Sequence, residues 1–220
     1  TVTGVQTCAL PILQTRLSNG TTIIGFVNEG GVTLGADSRA STGSFIAIRD
    51  TNKITSITPN IYVCHSGSAS STQALSKFVK QYQGIISVYS NKKPSVRTVA
   101  ETLRKILQSN KEYLQAQMIV GGVDDDGPAV YFVMQSGMSI QREFAAGGSG
   151  STYLTSYLDN KWKPNMTLEE SEAFIVRAIN FATIRDGYSG GPINVVEITK
   201  DGAQRKWFKP DQQPLDISIV

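Results

Sequence analysis

The residues with the clearest chemical potential are Gly20 and Thr21, which stand just before the apolar run Ile23-Ile24-Gly25-Phe26-Val27. Cleavage of the Gly20–Thr21 bond would give Thr21 a free α-amine beside its own hydroxyl. Because an α-amine has an ordinary pKa of about 7.7–8.0, part of it is neutral and can accept the hydroxyl proton. The chain contains one histidine, and a hydrolase of this kind needs none. The pattern favours an N-terminal threonine nucleophile.

Such a nucleophile needs a nearby positive charge that lowers the proton affinity of its hydroxyl. Lys53 is the candidate for that charge, and Asp37 is the candidate that holds it in place. Both are expected on strands that neighbour the strand after Thr21. A lysine and an aspartate in this arrangement usually form a surface ion pair that contributes under about 1 kcal/mol, so the pair alone is weak support for catalysis.

Six motifs resemble those of the catalytic beta subunits of the 20S proteasome, in the order and at the spacing of that family. They are Thr21-Thr22-Ile23-Ile24, Gly35-Ala36-Asp37-Ser38-Arg39, Asn52-Lys53-Ile54, Ser66-Gly67-Ser68-Ala69, Gly147-Gly148-Ser149-Gly150-Ser151 and Arg185-Asp186-Gly187-Tyr188-Ser189-Gly190-Gly191. The similarity covers about residues 21–210. It implies an α+β fold, the four-layer αββα sandwich of N-terminal nucleophile hydrolases, with neither a metal nor a cofactor.

The same resemblance implies how the chain is divided. Residues 1–20 are expected to be a propeptide that the enzyme removes from itself at Gly20, which exposes Thr21 as the nucleophile. Of that segment, residues 1–13 are the part that could be non-native. Residues 21–220 are expected to form one domain with a C-terminal tail from about residue 210.

Further site residues follow from the resemblance alone. Asp37 and Lys53 match the family's charge pair beside the threonine. Ser149, Asp186 and Ser189 match its hydrogen-bond network around the α-amine. Gly67 matches the glycine whose backbone N–H faces the oxyanion. An oxyanion donor can contribute roughly 2.7–4 kcal/mol to acyl transfer. The substrate-binding positions implied in the same way are Ala40, Thr51, Thr55, His65 and Ala69.

Within the family, the chain most resembles the caspase-like subunit, which cleaves after acidic residues. His65 departs from that type, because the family usually has an arginine there that pairs with a substrate carboxylate. Histidine is mostly neutral at pH 7, so we expect a broadened preference and better cleavage after acidic residues as the pH falls from 7.5 to 6. The alternative is a histidine that packs at a subunit boundary. Tyr188, in place of a common serine, is a second departure.

A serine protease is the enzymatic alternative. The segment Gly187-Tyr188-Ser189-Gly190-Gly191 satisfies the G-x-S-x-G pattern, and the order His65, Asp125, Ser189 would suit such an enzyme. However, a nucleophile elbow follows a strand, whereas residues 170–185 are predicted to be helical.

A catalytically inactive structural beta subunit is the non-enzymatic alternative. The chain keeps Thr21, Asp37 and Lys53 together, which favours the enzyme. In either case the resemblance implies other beta and alpha subunits as partners in stacked seven-membered rings. For the enzyme it also implies unfolded polypeptides as substrates.

The elements that must position these residues alternate between strand and helix patterns. Strands are predicted at residues 22–28, 32–37, 44–48, 52–57, 61–64, 117–123, 129–135, 195–199 and 205–208, and helices at residues 70–89, after Pro94, at 151–158 and from Thr167 to about 185. Thr167-Leu168-Glu169-Glu170 has the form of a capping box. The acidic residues 124–126, followed by Gly127 and Pro128, read as a hairpin loop rather than as a calcium loop. This order allows two face-to-face sheets with helix pairs outside.

The composition argues against several other classes of protein. The chain has 220 residues, of which 40% are hydrophobic and 18% charged, as expected of an ordinary globular domain. The net charge of +3 and the scattered basic residues give no reason to expect nucleic acid, and no apolar stretch is long enough to span a membrane. Cys8 and Cys64 lie far apart without a Cys/His cluster, so reduced thiols in the cytoplasm or nucleus fit best.

Overall fold

Two five-stranded antiparallel sheets form the inner layers of the fold in the computed structural model, which describes residues 20–213. The strands are β1 (Ile23–Asn28), β2 (Gly31–Ala36), β3 (Ala40–Thr42), β4 (Phe45–Ile48), β5 (Ile54–Thr58), β6 (Ile61–Gly67), β7 (Ala116–Asp124), β8 (Gly127–Val133), β9 (Ser139–Arg142), β10 (Phe144–Gly147), β11 (Ile193–Thr199) and β12 (Gly202–Phe208). The first sheet has the order β10-β1-β2-β11-β12 and the second the order β5-β6-β7-β8-β9, while β3 and β4 form a separate hairpin.

Two helix pairs form the outer layers. Helices α1 (Ala69–Ser90) and α2 (Val96–Ser109) pack on the second sheet, and α3 (Ser151–Lys161) and α4 (Leu168–Arg185) pack on the first. The predicted α+β four-layer sandwich is therefore confirmed. Within residues 20–213, no helix is long and apolar enough to cross a membrane.

The core consists of three buried apolar layers, one under each helix pair and one between the sheets. In the central layer the sheets approach closely at Gly25 and Gly121. A Cβ atom at Gly25 would lie 2.6 Å from Leu34 Cδ2, and one at Gly121 would lie 2.8 Å from the same atom. Larger side chains at these positions would push the two sheets apart.

The predicted elements agree with the structure except at short strands. The capping box of α4 is present, with the Thr167 hydroxyl accepting from Glu170 N and the Glu170 carboxylate accepting from Thr167 N. Strands β3, β9 and β10 were not predicted, because three or four residues carry too little periodic signal. Asp37 and Lys53 were expected within strands, yet Asp37 follows the end of β2 and Lys53 precedes β5.

Parts of the sequence-based division lie outside the described residues. The proposed propeptide falls there apart from Gly20, as does Cys8, and so does the proposed tail beyond residue 213. A short 3₁₀ helix, Pro210–Gln212, ends the described chain. The division into a propeptide and one domain therefore stays a prediction.

Candidate active site

Thr21 lies at the edge of the central layer, two residues before β1, and its side chain is buried. Its carbonyl oxygen accepts from Gly150 N at 3.2 Å, which ties this segment to the start of α3. Its Oγ1 donates to the Gly20 carbonyl oxygen at 2.6 Å. The threonine hydroxyl and the preceding carbonyl group are therefore in direct contact.

Lys53 brings a positive charge from the second sheet to this contact. Its Nζ lies 3.1 Å from Thr21 Oγ1 and 3.3 Å from the Gly20 oxygen, and it donates to Asp37 Oδ1 at 2.7 Å. The exposed fractions of the two charged side chains are 6% and 0%. The pair is therefore buried and is not the ordinary surface ion pair that a lysine and an aspartate on neighbouring strands usually form.

Asp37 is fixed by backbone donors as well as by Lys53. Its Oδ1 accepts from Thr22 N at 2.8 Å, and its Oδ2 accepts from Gly190 N at 3.0 Å and Arg39 N at 3.2 Å. Three backbone N–H groups and the Lys53 ammonium therefore fix the position of this carboxylate. Asp37 is thus suited to hold the Lys53 ammonium at one position.

Burial lowers the pKa of Lys53, and the neighbouring Asp37 carboxylate opposes this without cancelling it. Desolvation disfavours the charged ammonium, so the amine gives up its proton more easily than an exposed lysine would. Lys53 can therefore act both as a charge that stabilises an oxyanion and as a group that exchanges a proton with Thr21 Oγ1.

A second acidic group lies on the other side of Thr21. Asp186, at the C-terminal end of α4, accepts at Oδ2 from Ser149 Oγ at 2.6 Å and from Ser189 Oγ at 2.7 Å. Ser149 Oγ in turn accepts from Thr21 N at 3.1 Å. The three residues that the sequence grouped around the α-amine are therefore brought together at the nitrogen that would become that amine.

Gly67 ends β6 with a φ of +112°, a backbone conformation that favours glycine. A Cβ atom there would overlap the Gln115 carbonyl oxygen. The register pairs Gly67 with Ala116 at the start of β7. The strain explains why glycine is required, whereas the predicted role of its N–H toward an oxyanion stays a prediction.

The predicted substrate-binding residues lie on segments that continue from the catalytic ones. Thr51 and Thr55 flank Lys53 at alternate positions, and Ala40 begins β3 shortly after Asp37. Ala69 begins α1 after Gly67. Thr51 Oγ1 is buried without a hydrogen-bond partner among the described residues.

His65 lies on β6, where its backbone N–H donates to the Lys53 carbonyl oxygen at 3.0 Å. Burial, with a smaller contribution from the Lys53 charge, lowers the pKa of His65 to about 4. The imidazole is therefore neutral both at pH 7.5 and at pH 6. The expectation that acidification over this range would charge His65 is wrong, because the ring is not solvated and faces a cation.

The serine-protease alternative is contradicted by the surroundings of Ser189. This serine follows helix α4 rather than a strand, and its hydroxyl is bonded to Asp186 and Thr22. His65 pairs with Met118 in the register of β6 and β7, whereas Asp125 lies beyond the end of β7 at Asp124. At the rise of an extended strand, this places Asp125 roughly 20 Å from His65.

Several contacts involve residues to which the sequence analysis gave no role. Arg39 Nη1 donates to the Gly187 carbonyl oxygen at 2.8 Å, and Thr22 Oγ1 donates to Ser189 Oγ at 2.8 Å. Tyr188 packs so closely on Gly20 that a Cβ atom there would lie 2.6 Å from Tyr188 Cα. Arg39, Thr22 and Tyr188 all lie inside the six motifs. The motifs therefore included these residues but did not show which groups they contact.

Among the described residues, no three His, Cys, Asp or Glu side chains are grouped in a way that could hold a metal ion. The donors around Thr21 are hydroxyls, backbone amides, one lysine and two separated carboxylates. Together they can polarise a carbonyl group and move a proton to or from a threonine hydroxyl.

Comparisons with known proteins find relatives over most of the chain. A family model described as "Proteasome subunit" matches residues 17–198. The chain is 42% identical to proteasome subunit beta type-6 of Arabidopsis thaliana over 199 residues, covering 90% of this chain and 85% of the relative. It is 42% identical to proteasome subunit beta type-6 of Dictyostelium discoideum, covering 92% and 95%. It is 36% identical to proteasome subunit beta type-1 of Saccharomyces cerevisiae, covering 95% and 97%.

Proposed function

Because the chain belongs to the proteasome subunit family, as a beta subunit, we propose that it is a threonine-type endopeptidase of the 20S core. The observation that carries the proposal is the position of Lys53 Nζ, within hydrogen-bond distance of both Thr21 Oγ1 and the Gly20 carbonyl oxygen. Thr21 and Lys53 serve self-processing first and substrate cleavage afterwards.

In the uncleaved chain, Thr21 Oγ1 attacks the carbonyl carbon of Gly20. The Thr21 nitrogen is still an amide and cannot take the hydroxyl proton. Lys53 is the group placed to accept it, and does so as the neutral amine, the form that its lowered pKa makes more accessible. The C–N bond breaks as the former amide nitrogen takes a proton, which leaves an ester on Oγ1 and a free α-amine. Water then hydrolyses the ester and releases residue 20 as a carboxylate.

In the processed subunit, the same hydroxyl attacks a peptide carbonyl of the substrate. The α-amine accepts the proton, directly or through a water, while the Lys53 charge lowers the proton affinity of Oγ1 and Asp37 holds Lys53 in place. Ser149 and Asp186 orient the amine from the other side. An ester forms as the leaving amine departs, and water hydrolyses it.

The test is intact-mass and N-terminal analysis of this subunit isolated from its assembled particle, before and after treatment with an epoxyketone inhibitor directed at N-terminal threonines. We expect a chain that begins at Thr21 and gains the mass of one inhibitor molecule. A chain that retains the Gly20–Thr21 bond and gains no mass would contradict the proposal and identify an inactive structural subunit instead.

For specificity, we propose cleavage after acidic residues with a broadened preference, because a neutral His65 can hydrogen-bond a carboxylate without offering it a full charge. We expect the ratio of cleavage after acidic to cleavage after apolar residues to stay constant from pH 7.5 to 6. His65→Arg should raise that ratio at both pH values. Peptide pairs that differ only at the cleaved residue measure it, and a ratio that rises for the unmodified subunit at pH 6 would refute the neutral histidine.

Family membership also implies assembly with other proteasome subunits in rings. We propose that these are alpha and beta subunits in stacked seven-membered rings, that the substrates are unfolded polypeptides, and that the particle resides in the cytoplasm and nucleus. Neither nucleic acid nor membrane is part of the proposal.

A further inference from the structure

We propose that Thr22, the residue after the nucleophile, is a positioning residue for catalysis whose hydroxyl orients Ser189 and, through it, Asp186. The inference rests on the proposed function, since it concerns how the α-amine of Thr21 is held. It adds a residue that donates to the network without contacting the reacting atoms.

The hydrogen bonds around Ser189 have a defined direction. Thr22 Oγ1 donates to Ser189 Oγ at 2.8 Å, and Ser189 Oγ donates to Asp186 Oδ2 at 2.7 Å. Thr22 and Ser189 are both fully buried. A hydroxyl has one proton to donate and two lone pairs that can accept. Because Thr22 donates to Ser189 Oγ, the Ser189 proton is left for Asp186, and the Thr22 hydroxyl helps to hold Ser189 in the position from which it donates.

The same carboxylate oxygen leads back to the nucleophile. Asp186 Oδ2 accepts from Ser149 Oγ at 2.6 Å, and Ser149 Oγ accepts from Thr21 N at 3.1 Å. Two hydroxyl groups and one carboxylate, joined by four hydrogen bonds, therefore connect the Thr22 hydroxyl to the nitrogen of Thr21. Loss of a donor on Oδ2 would leave the carboxylate that holds Ser149 less firmly positioned.

Thr22 also joins this network to the Lys53 side of the site. Its N–H donates to Asp37 Oδ1 at 2.8 Å, the same oxygen that Lys53 Nζ contacts at 2.7 Å. Thr22 is thus linked to the groups on both sides of Thr21. Its backbone N–H contacts Asp37, and its hydroxyl reaches Asp186 through Ser189.

The space for this hydroxyl depends on Gly150. A Cβ atom at that position would overlap Thr22 Oγ1 and lie 3.1 Å from Thr22 Cβ. Gly150 N also donates to Thr21 O at 3.2 Å, so the residue before α3 contacts both Thr21 and Thr22. The Thr22 side chain is therefore confined, and its hydroxyl has little freedom to turn away from Ser189.

The experiment compares Thr22→Ala with Thr22→Ser, two smaller side chains that differ only in the hydroxyl. Each variant is placed in the assembled particle, and its labelling by the epoxyketone is followed by subunit mass. We expect Thr22→Ala to lower the maximal labelling rate about tenfold, the effect of one lost buried hydrogen bond, and to change the half-saturating inhibitor concentration less than about twofold. Thr22→Ser should retain most of the unmodified rate.

Thr33→Ala is the matched control for loss of a buried threonine. Thr33 is fully buried on β2 and its hydroxyl accepts from Asn28 Nδ2 at 2.7 Å, outside the network described above. We expect this variant to be destabilised to a similar extent and to be labelled at the unmodified rate. A tenfold loss in Thr33→Ala as well would overturn the inference, because the effect would then reflect packing.

The outcomes separate this inference from the proposed function. If the unmodified subunit is labelled and Thr22→Ala and Thr22→Ser are labelled at the same rate, the inference is wrong and the proposed function stands. If the unmodified subunit is neither processed nor labelled, both are wrong. Should Thr22→Ala fail to enter the particle, Thr22→Cys replaces it. Its thiol is a weak donor, so an intermediate rate is expected and an unmodified rate would overturn the inference.

Discussion

Thr21→Ala should leave the Gly20–Thr21 bond intact and abolish labelling of the subunit by the epoxyketone. The substitution removes the oxygen that lies against the Gly20 carbonyl group and Lys53, and no other hydroxyl described around that contact has the same neighbours. Removal of the nucleophile from a hydrolase site that acts as a unit costs at least about 10⁴-fold in rate. The expected particle contains this subunit at its unprocessed mass.

The control for this prediction is Thr21→Ser, which keeps the hydroxyl and loses one methyl group. We expect it to be processed and labelled, with a loss smaller than about 100-fold. Ser189→Ala should slow labelling without abolishing it, because Ser189 supports Asp186 and does not attack. If Thr21→Ala were processed normally while Ser189→Ala were not, the threonine mechanism would be refuted.

The second large effect is expected at the buried pair of Lys53 and Asp37. Lys53→Met or Asp37→Asn leaves one uncompensated charge in a site where the side chains are 6% and 0% exposed. Breaking a buried pair in this way lowers the free energy of unfolding by about 3–5 kcal/mol. Each single variant should also lose processing, since either the proton acceptor or the group that holds it is missing.

The double variant separates stability from chemistry. When both charges are replaced by neutral side chains of similar size, the desolvation penalty disappears with the attraction, so most of the lost free energy of unfolding should return. Processing should not return, because no lysine amine is left to accept the proton of the Thr21 hydroxyl. Urea unfolding of the full-length chain and its mass in the particle measure the two effects. A double variant that processes itself would show that Lys53 is structural.

The sequence was sufficient for the type and order of most elements. Helices α1, α2 and α4 have long amphipathic patterns, and the capping box at Thr167 marked the start of α4 to the residue. The two-sheet layering followed from the grouping of strands and helix pairs. The strands that escaped prediction were short, and β10 forms because β1 supplies its hydrogen bonds rather than because of its own propensity.

The members of the site could be named from the sequence, but their environment could not. The sequence does not show that the side chains of Lys53 and Asp37 are buried, and the pKa of His65 likewise depends on burial that the sequence does not display. Thr22 was passed over because its role depends on where the side chain of Ser189, far along the chain, comes to lie. Composition and motif spacing do not determine which side chains from distant segments of the chain come into contact.

The origin of the site residues on both sheets has a consequence for when the chain can become reactive. Thr21 precedes β1 and Asp37 follows β2, both strands of the first sheet, whereas Lys53 precedes β5 of the second sheet. Under the proposed mechanism, an incompletely folded chain has Thr21 without Lys53 and cannot cut the Gly20–Thr21 bond. Self-cleavage would then require the two sheets to be packed, so a misfolded copy would stay unprocessed and inactive. The mass of the subunit would therefore report on folding as well as on catalysis.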